Sequence, residues 1–476
     1  MSAICKIYHG FCPGQPPPKP RHATVRTLLQ PASGTERDIL DSESLLLYFP
    51  SPKTVTGEEV LELHVHGGPA TVKAVLSAIP KCQTSTRVRY AEPGEFTQRA
   101  FFNARLDLAQ IESLGDTLDA ETEQQRRAAV RGNSGALGRT YEDWRQQLLQ
   151  ARGELEALID FSEDQHFDES QSELLENVAG QIARILCSID LYELGGQRSE
   201  LLRNGIRIAL VGPPNAGKSS LMNLIVGREA SIVSSEAGTT RDIVEASLDI
   251  RGFLCSFADT AGLRSTSDSG EGVIGPVEEE GIRRARKKAR ESDIVVVLAS
   301  VESGPSGPFI HVDEETLSLA TEARASLVIV NKQDTVDKTT LSHLLRPLRL
   351  LIGEKHPSLP NEPICISCKE DTSASSDGGV QAVVDALVSS FSQMTDMSPD
   401  LRDLLGVTER QRQLLAKCRG HLEEFIAEAQ PQEDGLDSDI VLAAEYLRYA
   451  AGCLGRITGK GEAGDAEDVL GVVFEK

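Results

Sequence analysis

The sequence predicts a doubly wound, mainly parallel α/β domain inserted into an all-α helical domain, with a small α+β domain ahead of both. Three observations carry this. From Ile206 to about Phe391, short apolar runs alternate with helical stretches, the pattern of a mainly parallel sheet covered by helices. On either side, from Phe96 to about Leu202 and again from Pro399, apolar residues recur at helical spacing, as in Leu401, Leu404, Leu405 and Leu414, Leu415, Cys418. Residues 40–95 mix short apolar runs with Gly/Pro turns. The expected parts are 1–95, 96–203, 204–393 and 394–476.

Taken in order, Gln15 to Pro20 reads as an extended, disordered lead-in, since its prolines supply no backbone donors. Ile111–Arg131 and Leu137–Phe161 read as long helices. Ile206–Val211, Phe253–Ala258, Leu327–Val330 and Ile364–Ile366 read as strands, and Ser220–Ile225 as the opening of a helix. Thr372–Gly379 is a Ser/Asp/Gly-rich loop, and no internal repeat is evident.

With 476 residues the chain can bury several cores. Its net charge of −23 argues against nonspecific nucleic-acid binding by the bulk surface. No apolar run reaches the roughly eighteen residues that a membrane span requires. Nine scattered cysteines, an odd number, indicate a reduced compartment rather than a disulfide framework. The N-terminus shows neither a secretory apolar core nor an Arg-rich transit segment.

Three motifs carry the chemistry. Gly212 to Ser220 reads Gly-Pro-Pro-Asn-Ala-Gly-Lys-Ser-Ser between a strand and a helix. There Asn215, Ala216 and Gly217 would curl backbone N–H groups around phosphates, and Lys218 would reach them as a point charge. The Ser219 hydroxyl would bind Mg²⁺, with Ser220 beginning the helix. Asp259, Thr260, Ala261 and Gly262 follow the second strand; the Asp259 carboxylate would hold Mg²⁺ through water, and Gly262 would offer its N–H to a γ-phosphate. Thr240, between these motifs, is the natural second hydroxyl ligand for Mg²⁺. Asn331, Lys332 and Asp334 follow the third strand. The Asp334 carboxylate can accept from both N1–H and the 2-amino group of guanine, a donor pair that adenine lacks. Ser367, Cys368 and Lys369 stand where a further loop would touch guanine O6. Together these motifs select GTP. Leu263 occupies the place of the water-orienting Gln of small GTPases, so the nucleophile must be oriented otherwise.

The segments Tyr48–Gly68 and Glu92–Ala109 carry a resemblance well beyond these motifs. The chain resembles the MnmE/TrmE family of tRNA-modification GTPases, nearest to its animal mitochondrial form, over about Lys19 to Phe474. That resemblance implies a K⁺ ion held by Asn215, Ser234, Glu236 and Thr239, and a water-orienting Glu278 within Val277-Glu278-Glu-Glu-Gly281. The stretch Ser265–Pro276, longer than expected in relatives, is taken to bulge outward. The resemblance further implies a 5,10-methylene- or 5-formyl-tetrahydrofolate site with Glu62 and Arg105, where bacterial relatives carry Lys in place of Arg105. It implies a homodimer, an FAD-dependent partner protein, tRNA as the object of wobble-uridine modification, and a mitochondrial address. Two departures bear on this. Relatives begin with a Gly-rich segment and a strand bearing a folate-contacting Arg, and they end in Phe-Cys-x-Gly-Lys; neither is read here. Two alternatives therefore accompany the modification enzyme: a regulatory variant that hydrolyses GTP without modifying tRNA, and a ribosome-assembly GTPase.

Other features read as ordinary. The basic run Arg283–Arg290 is most simply a solvated helix face, although such runs also meet phosphates. His64 and His66 share a strand face without a third ligand nearby. The Cys365-x-x-Cys368 spacing falls in the guanine loop, and Asp160, Glu163 and Asp164 mark a helix end.

Overall fold

The computed structural model describes residues 3–31, 37–82, 84, 87–161, 171–228, 230–233, 247–258, 286–305, 307–370, 379–429 and 439–460. The chain forms two compact units, one of residues 1–115, 138–168 and 427–476, the other of 116–137 and 169–426.

In the first unit, helix α1 (Ala3–Phe11) precedes an antiparallel sheet of β1 (Thr24–Leu29), β2 (Ile39–Phe49) and β3 (Val60–His64), in that order. Thr24 lies opposite Leu46, and Leu47 opposite Glu62. One face of the sheet is dry: α1 and α2 (Pro69–Ala78) bring Tyr8, Phe11, Val75 and Ala78 onto Leu28 and Leu46. The expected disordered lead-in is overturned. Ile4, Ile7, Tyr8 and Phe11 fall at i, i+3, i+4 and i+7, one apolar stripe of a helix. The prolines that follow are extended but held, with Pro18 buried and Tyr8 Oη donating to Pro16 O at 2.7 Å. Helix α3 (Glu95–Phe102) starts from left-handed Gly94.

The helices that follow are α4 (Leu108–Asp119), α5 (Glu123–Gly132), α6 (Ala136–Phe161) and α7 (Gln171–Asn204). The single helix expected over Ile111–Arg131 is broken at Thr122. That residue is extended, and Gln125 Oε1 accepts its N–H at 3.0 Å, a capping box that starts α5 afresh. The Gln125 amide also donates to Arg203 O at 3.0 Å, fastening α5 to the end of α7.

The second unit contains the α/β sheet, built from β4 (Ile206–Val211), α8 (Lys218–Arg228), β5 (Ala230–Ile232), β6 (Ser247–Ile250), β7 (Phe253–Ala258), β8 (Ile294–Gly304), β9 (Gly307–His311), α9 (Glu314–Thr321), β10 (Ala325–Asn331), α10 (Lys338–Lys355), β11 (Ile364–Cys365) and α11 (Val380–Thr395). The strand order is β11-β10-β8-β4-β7-β6-β5, with β9 paired to β8. β11, β10, β8, β4 and β7 run parallel; β6 and β5 extend one edge antiparallel. Strands buried on both faces need continuous apolar runs, and Ile294–Ala299 is wholly buried. Val295, Val297, Val328 and Val330 pack against Leu317, Leu345, Leu348 and Ile352 of α9 and α10.

A 3₁₀ segment (Pro399–Gly406) then leads into α12 (Glu409–Ala429) and α13 (Ile440–Thr458). This segment meets α7 at bare backbone: a Cβ on Gly195 would lie 2.5 Å from Leu404 Cβ. In the first unit, Lys460 Nζ reaches Glu142 on α6 at 3.2 Å.

Candidate functional site

The phosphate loop joins β4 to α8 where the parallel strands end. Gly212 has φ +151, and a Cβ there would lie 2.1 Å from Leu298 O. Gly217 has φ +101, and its Cβ would lie 2.2 Å from Asn331 Nδ2. Both positions exclude side chains by close approach as well as by backbone angle. Asn215, at φ +60, stands exposed on the crest of the loop, and Ala216 is buried beneath it. Ser219 and Ser220 are exposed in the first turn of α8, where N–H groups and the helix dipole favour anions. Lys218 Nζ donates to Gly212 O at 2.7 Å and Pro213 O at 2.9 Å, and burial lowers its pKa.

Two other loops close on this one through a single amide. Asn331, at the end of β10, is 3% exposed; its Nδ2 donates to Ala216 O at 2.8 Å, and its Oδ1 accepts from Cys368 N at 3.2 Å. The Gln333 N–H donates to Ile366 O at 3.1 Å. Ser367 Oγ donates to Asp334 Oδ1 at 2.7 Å, which fixes that exposed carboxylate while leaving lone pairs for a ligand. Thus Asn215, Ala216, Gly217, Lys218, Asn331, Asp334, Ser367 and Cys368, spread over some 150 positions of sequence, stand on one hydrogen-bonded set of loops.

One member of this neighbourhood escaped the sequence reading. Glu302 Oε1 lies 3.6 Å from Lys332 Nζ and accepts from Ser300 Oγ at 3.0 Å; its Oε2 lies 3.4 Å from His311 Nδ1. Its only signal in the sequence is a carboxylate near the end of an apolar run. It is the β8–β9 pairing, Ser300 opposite His311, that places it there.

Ser234, Glu236, Thr239, Thr240, Asp259, Thr260, Ala261, Gly262 and Glu278 lie outside the described residues, as does the stretch Ser265–Pro276.

Glu62 and Arg105, 43 positions apart, line one pocket of about 270 Å³ on the first unit. Arg105 Nε donates to Thr54 O at 2.9 Å, and Asn103 Nδ2 to Thr56 O at 2.8 Å, so the 51–58 loop is laced to the end of α3. Arg21 and Lys53 add two cations that were missed from sequence. Arg21 is held by Lys53 O and lies over the Phe49 ring at 5.7 Å. Glu62 Oε2 is 3.1 Å from His64 Nε2. One carboxylate among cations and apolar walls suits a ligand that carries both N–H donors and carboxylates, with room for a bicyclic head group. His66 belongs elsewhere: its ring Nδ1 is 2.7 Å from Asp41 Oδ1, and its N–H donates to Oδ2 at 2.8 Å. Burial raises the Asp41 pKa, but the bonds from His66, Ser44 and Glu43 outweigh it and bring the value to about 2.

The described part of the basic run is largely paired: Arg286 with Glu315 at 2.5 Å and Arg290 with Glu322 at 3.1 Å.

Comparison with known proteins bears on all of this. A family profile described as the MnmE helical domain matches residues 108–476, and one described as the GTP-binding protein TrmE N-terminus matches residues 2–105. The mitochondrial tRNA modification GTPase mss1 of Schizosaccharomyces pombe is 37% identical over 96% of this chain and 87% of its own length. The tRNA modification GTPase MnmE of Parvibaculum lavamentivorans is 38% identical over 96% and 89%. The mitochondrial 5-taurinomethyluridine-[tRNA] synthase subunit GTPB3 of Danio rerio is 35% identical over 96% and 85%. Among solved structures, Era in complex with MgGDPNP and ribosomal RNA aligns over 40% of this chain at 24% identity and a TM-score of 0.27, too low to carry an argument.

Proposed function

Because the chain belongs to the MnmE/TrmE family of tRNA-modification GTPases, and is itself a GTPase, we propose that its GTP hydrolysis drives modification of the wobble uridine, position 34, of tRNA. The observation that supports this most is the Asn331 amide, which bonds the phosphate loop to the guanine loop and so sets phosphate and base contacts at one fixed separation.

In this reading Asp334 accepts from guanine N1–H and the 2-amino group, with Ser367 holding its other oxygen. Lys218 leaves the carbonyls of Gly212 and Pro213 for the β- and γ-phosphates. Ser219 and Thr240 would hold Mg²⁺, with Asp259 acting through water, and the metal would supply positive charge to the phosphates. Asn215, Ser234, Glu236 and Thr239 would hold K⁺, whose charge would do the work of an arginine finger. Glu278 orients the attacking water that Leu263 cannot. In the first unit, Glu62 accepts from the N–H groups of a tetrahydrofolate head and Arg105 supplies a cation, so that the one-carbon donor sits on the N-terminal part, 1–95, with Arg105 reaching it from just beyond. The active assembly is a homodimer working with an FAD-dependent partner in the mitochondrion, the compartment named for the yeast and fish relatives.

Asp334→Asn tests the core of this reading. We expect GTP affinity to fall by about 10²-fold or more, because the guanine donors lose their shared acceptor. Xanthosine triphosphate should bind better to the variant, since its 2-oxo group accepts from the new amide. Parental GTP affinity in the variant, with no gain for xanthosine triphosphate, would remove Asp334 from base recognition.

A further inference from the structure

A second polar pocket, of about 230 Å³, lies in the second unit and has no part in the reading above. Arg127 and Arg131 on α5 and Arg402 on the 3₁₀ segment line it, together with Gln124 and one carboxylate, Asp396. Two of the three guanidinium groups are engaged: Arg127 Nε is 2.7 Å from Glu123 Oε1, and Arg402 Nη2 is 3.6 Å from Asp396 Oδ1. Arg131 is half-buried, and its guanidinium has no hydrogen-bond or ion-pair partner among the described residues.

In a chain of net charge −23, acidic side chains are abundant, yet among the described residues none meets this guanidinium. Asp396, the cavity's one carboxylate, pairs with Arg402, and a half-buried cation left without a counter-charge of its own is unfavourable unless something anionic enters the cavity. The C-terminal dipole of α5, whose last turn carries Arg131, accounts for an arginine at that position. It does not account for Arg402 converging on the same cavity from a segment some 270 positions away.

We propose that this pocket binds a phosphate-bearing anion, with Arg131 as the principal ligand and Arg127 and Arg402 flanking it. The guanidinium fork matches phosphate oxygens two at a time. The location gives such binding a consequence. Leu202, lining the pocket, lies two residues before the end of α7, where the chain enters the α/β sheet at Gly205. Asp396, also lining the pocket, follows the end of α11, where the chain leaves the sheet; its carbonyl accepts from Arg198 of α7. A bound phosphate would therefore brace both crossings between the sheet and the helices. The phosphate could be free, as released by GTP hydrolysis, or could belong to an RNA backbone.

The test is titration of inorganic phosphate into the full chain saturated with GDP and Mg²⁺, by calorimetry, for the parent, Arg131→Gln and Arg131→Lys. We expect binding that weakens about 10-fold or more in Arg131→Gln and less in Arg131→Lys. It should persist in Lys218→Ala, which separates it from the nucleotide loop. A single-stranded RNA oligonucleotide, titrated at fixed salt, distinguishes the sources. Loss of RNA affinity in Arg131→Gln assigns the pocket to a backbone phosphate, and unchanged RNA affinity with lost phosphate binding assigns it to the free anion. Equal affinities for both probes in parent and Arg131→Gln, with the variant's circular dichroism unchanged, would overturn the proposal. The inference stands independently of the tRNA reading.

Discussion

In the nucleotide loops the chain makes a site mainly from backbone: Gly212 and Gly217 admit no side chain, and one buried amide, Asn331, ties loops more than a hundred residues apart. In the N-terminal pocket the site is made from side chains that converge from separate segments, Arg21 after the prolines, Lys53 in a loop, Glu62 on β3 and Arg105 beyond α3. A backbone site needs particular residue types at fixed spacing, so it leaves a legible motif. A side-chain site needs only that the fold bring suitable groups together, and its members can stand anywhere in the sequence. The first kind tolerates little substitution; the second should lose affinity by increments.

The largest expected effect belongs to the backbone site. Lys218→Ala should cut single-turnover GTP hydrolysis by about 10³-fold, because the developing phosphate charge loses its nearest cation. A variant that hydrolyses at the parental rate would mean that the loop does not cradle phosphates. Next, Glu62→Gln should weaken tetrahydrofolate binding by about 10-fold, the cost of exchanging a charged acceptor for a neutral one, while leaving GTP turnover unchanged. If turnover falls in parallel with folate affinity, the two sites are coupled and the contrast between them fails.

A smaller effect separates the two units by acid. The Asp41 pKa, about 2 in the fold, lies below its ordinary 3.8, so the carboxylate stabilises the first unit above pH 3.8 and that contribution is lost as pH falls toward 2. The only tryptophan, Trp144 on α6, belongs to this unit and reports its unfolding by fluorescence. Asp41→Asn should flatten stability against pH in that window; an unchanged slope would assign it to other groups. Smallest is Thr122→Ala, which should cost about 1 kcal/mol of the second unit through loss of the capping box, seen as a shifted denaturant midpoint.

Much of the fold was legible. Ile206–Val211 and Phe253–Ala258 are strands with those bounds: the first is apolar and buried except at exposed Arg207, and the second alternates buried and partly buried positions with the period of a strand. The first helix was missed because the prolines that follow it dominated the reading and its four-residue apolar stripe is short. The break at Thr122 was also present in the sequence as Thr-x-x-Gln, but a run of good helix formers on both sides masked it. Nothing local marks Arg21 or Arg402 as parts of pockets, or Glu302 as a neighbour of Lys332.

By itself, then, the sequence determined the strands and the helix that frame the phosphate loop and the identity of the nucleotide motifs, because periodicity and backbone geometry act over a few residues. Only the tertiary structure decided that Asn331 bridges two loops, that Arg21 and Lys53 stand with Glu62 and Arg105, and that Arg131 faces a cavity with Arg127 and Arg402. Those contacts join residues far apart in the chain, and packing of the whole core, not local preference, sets which of them meet.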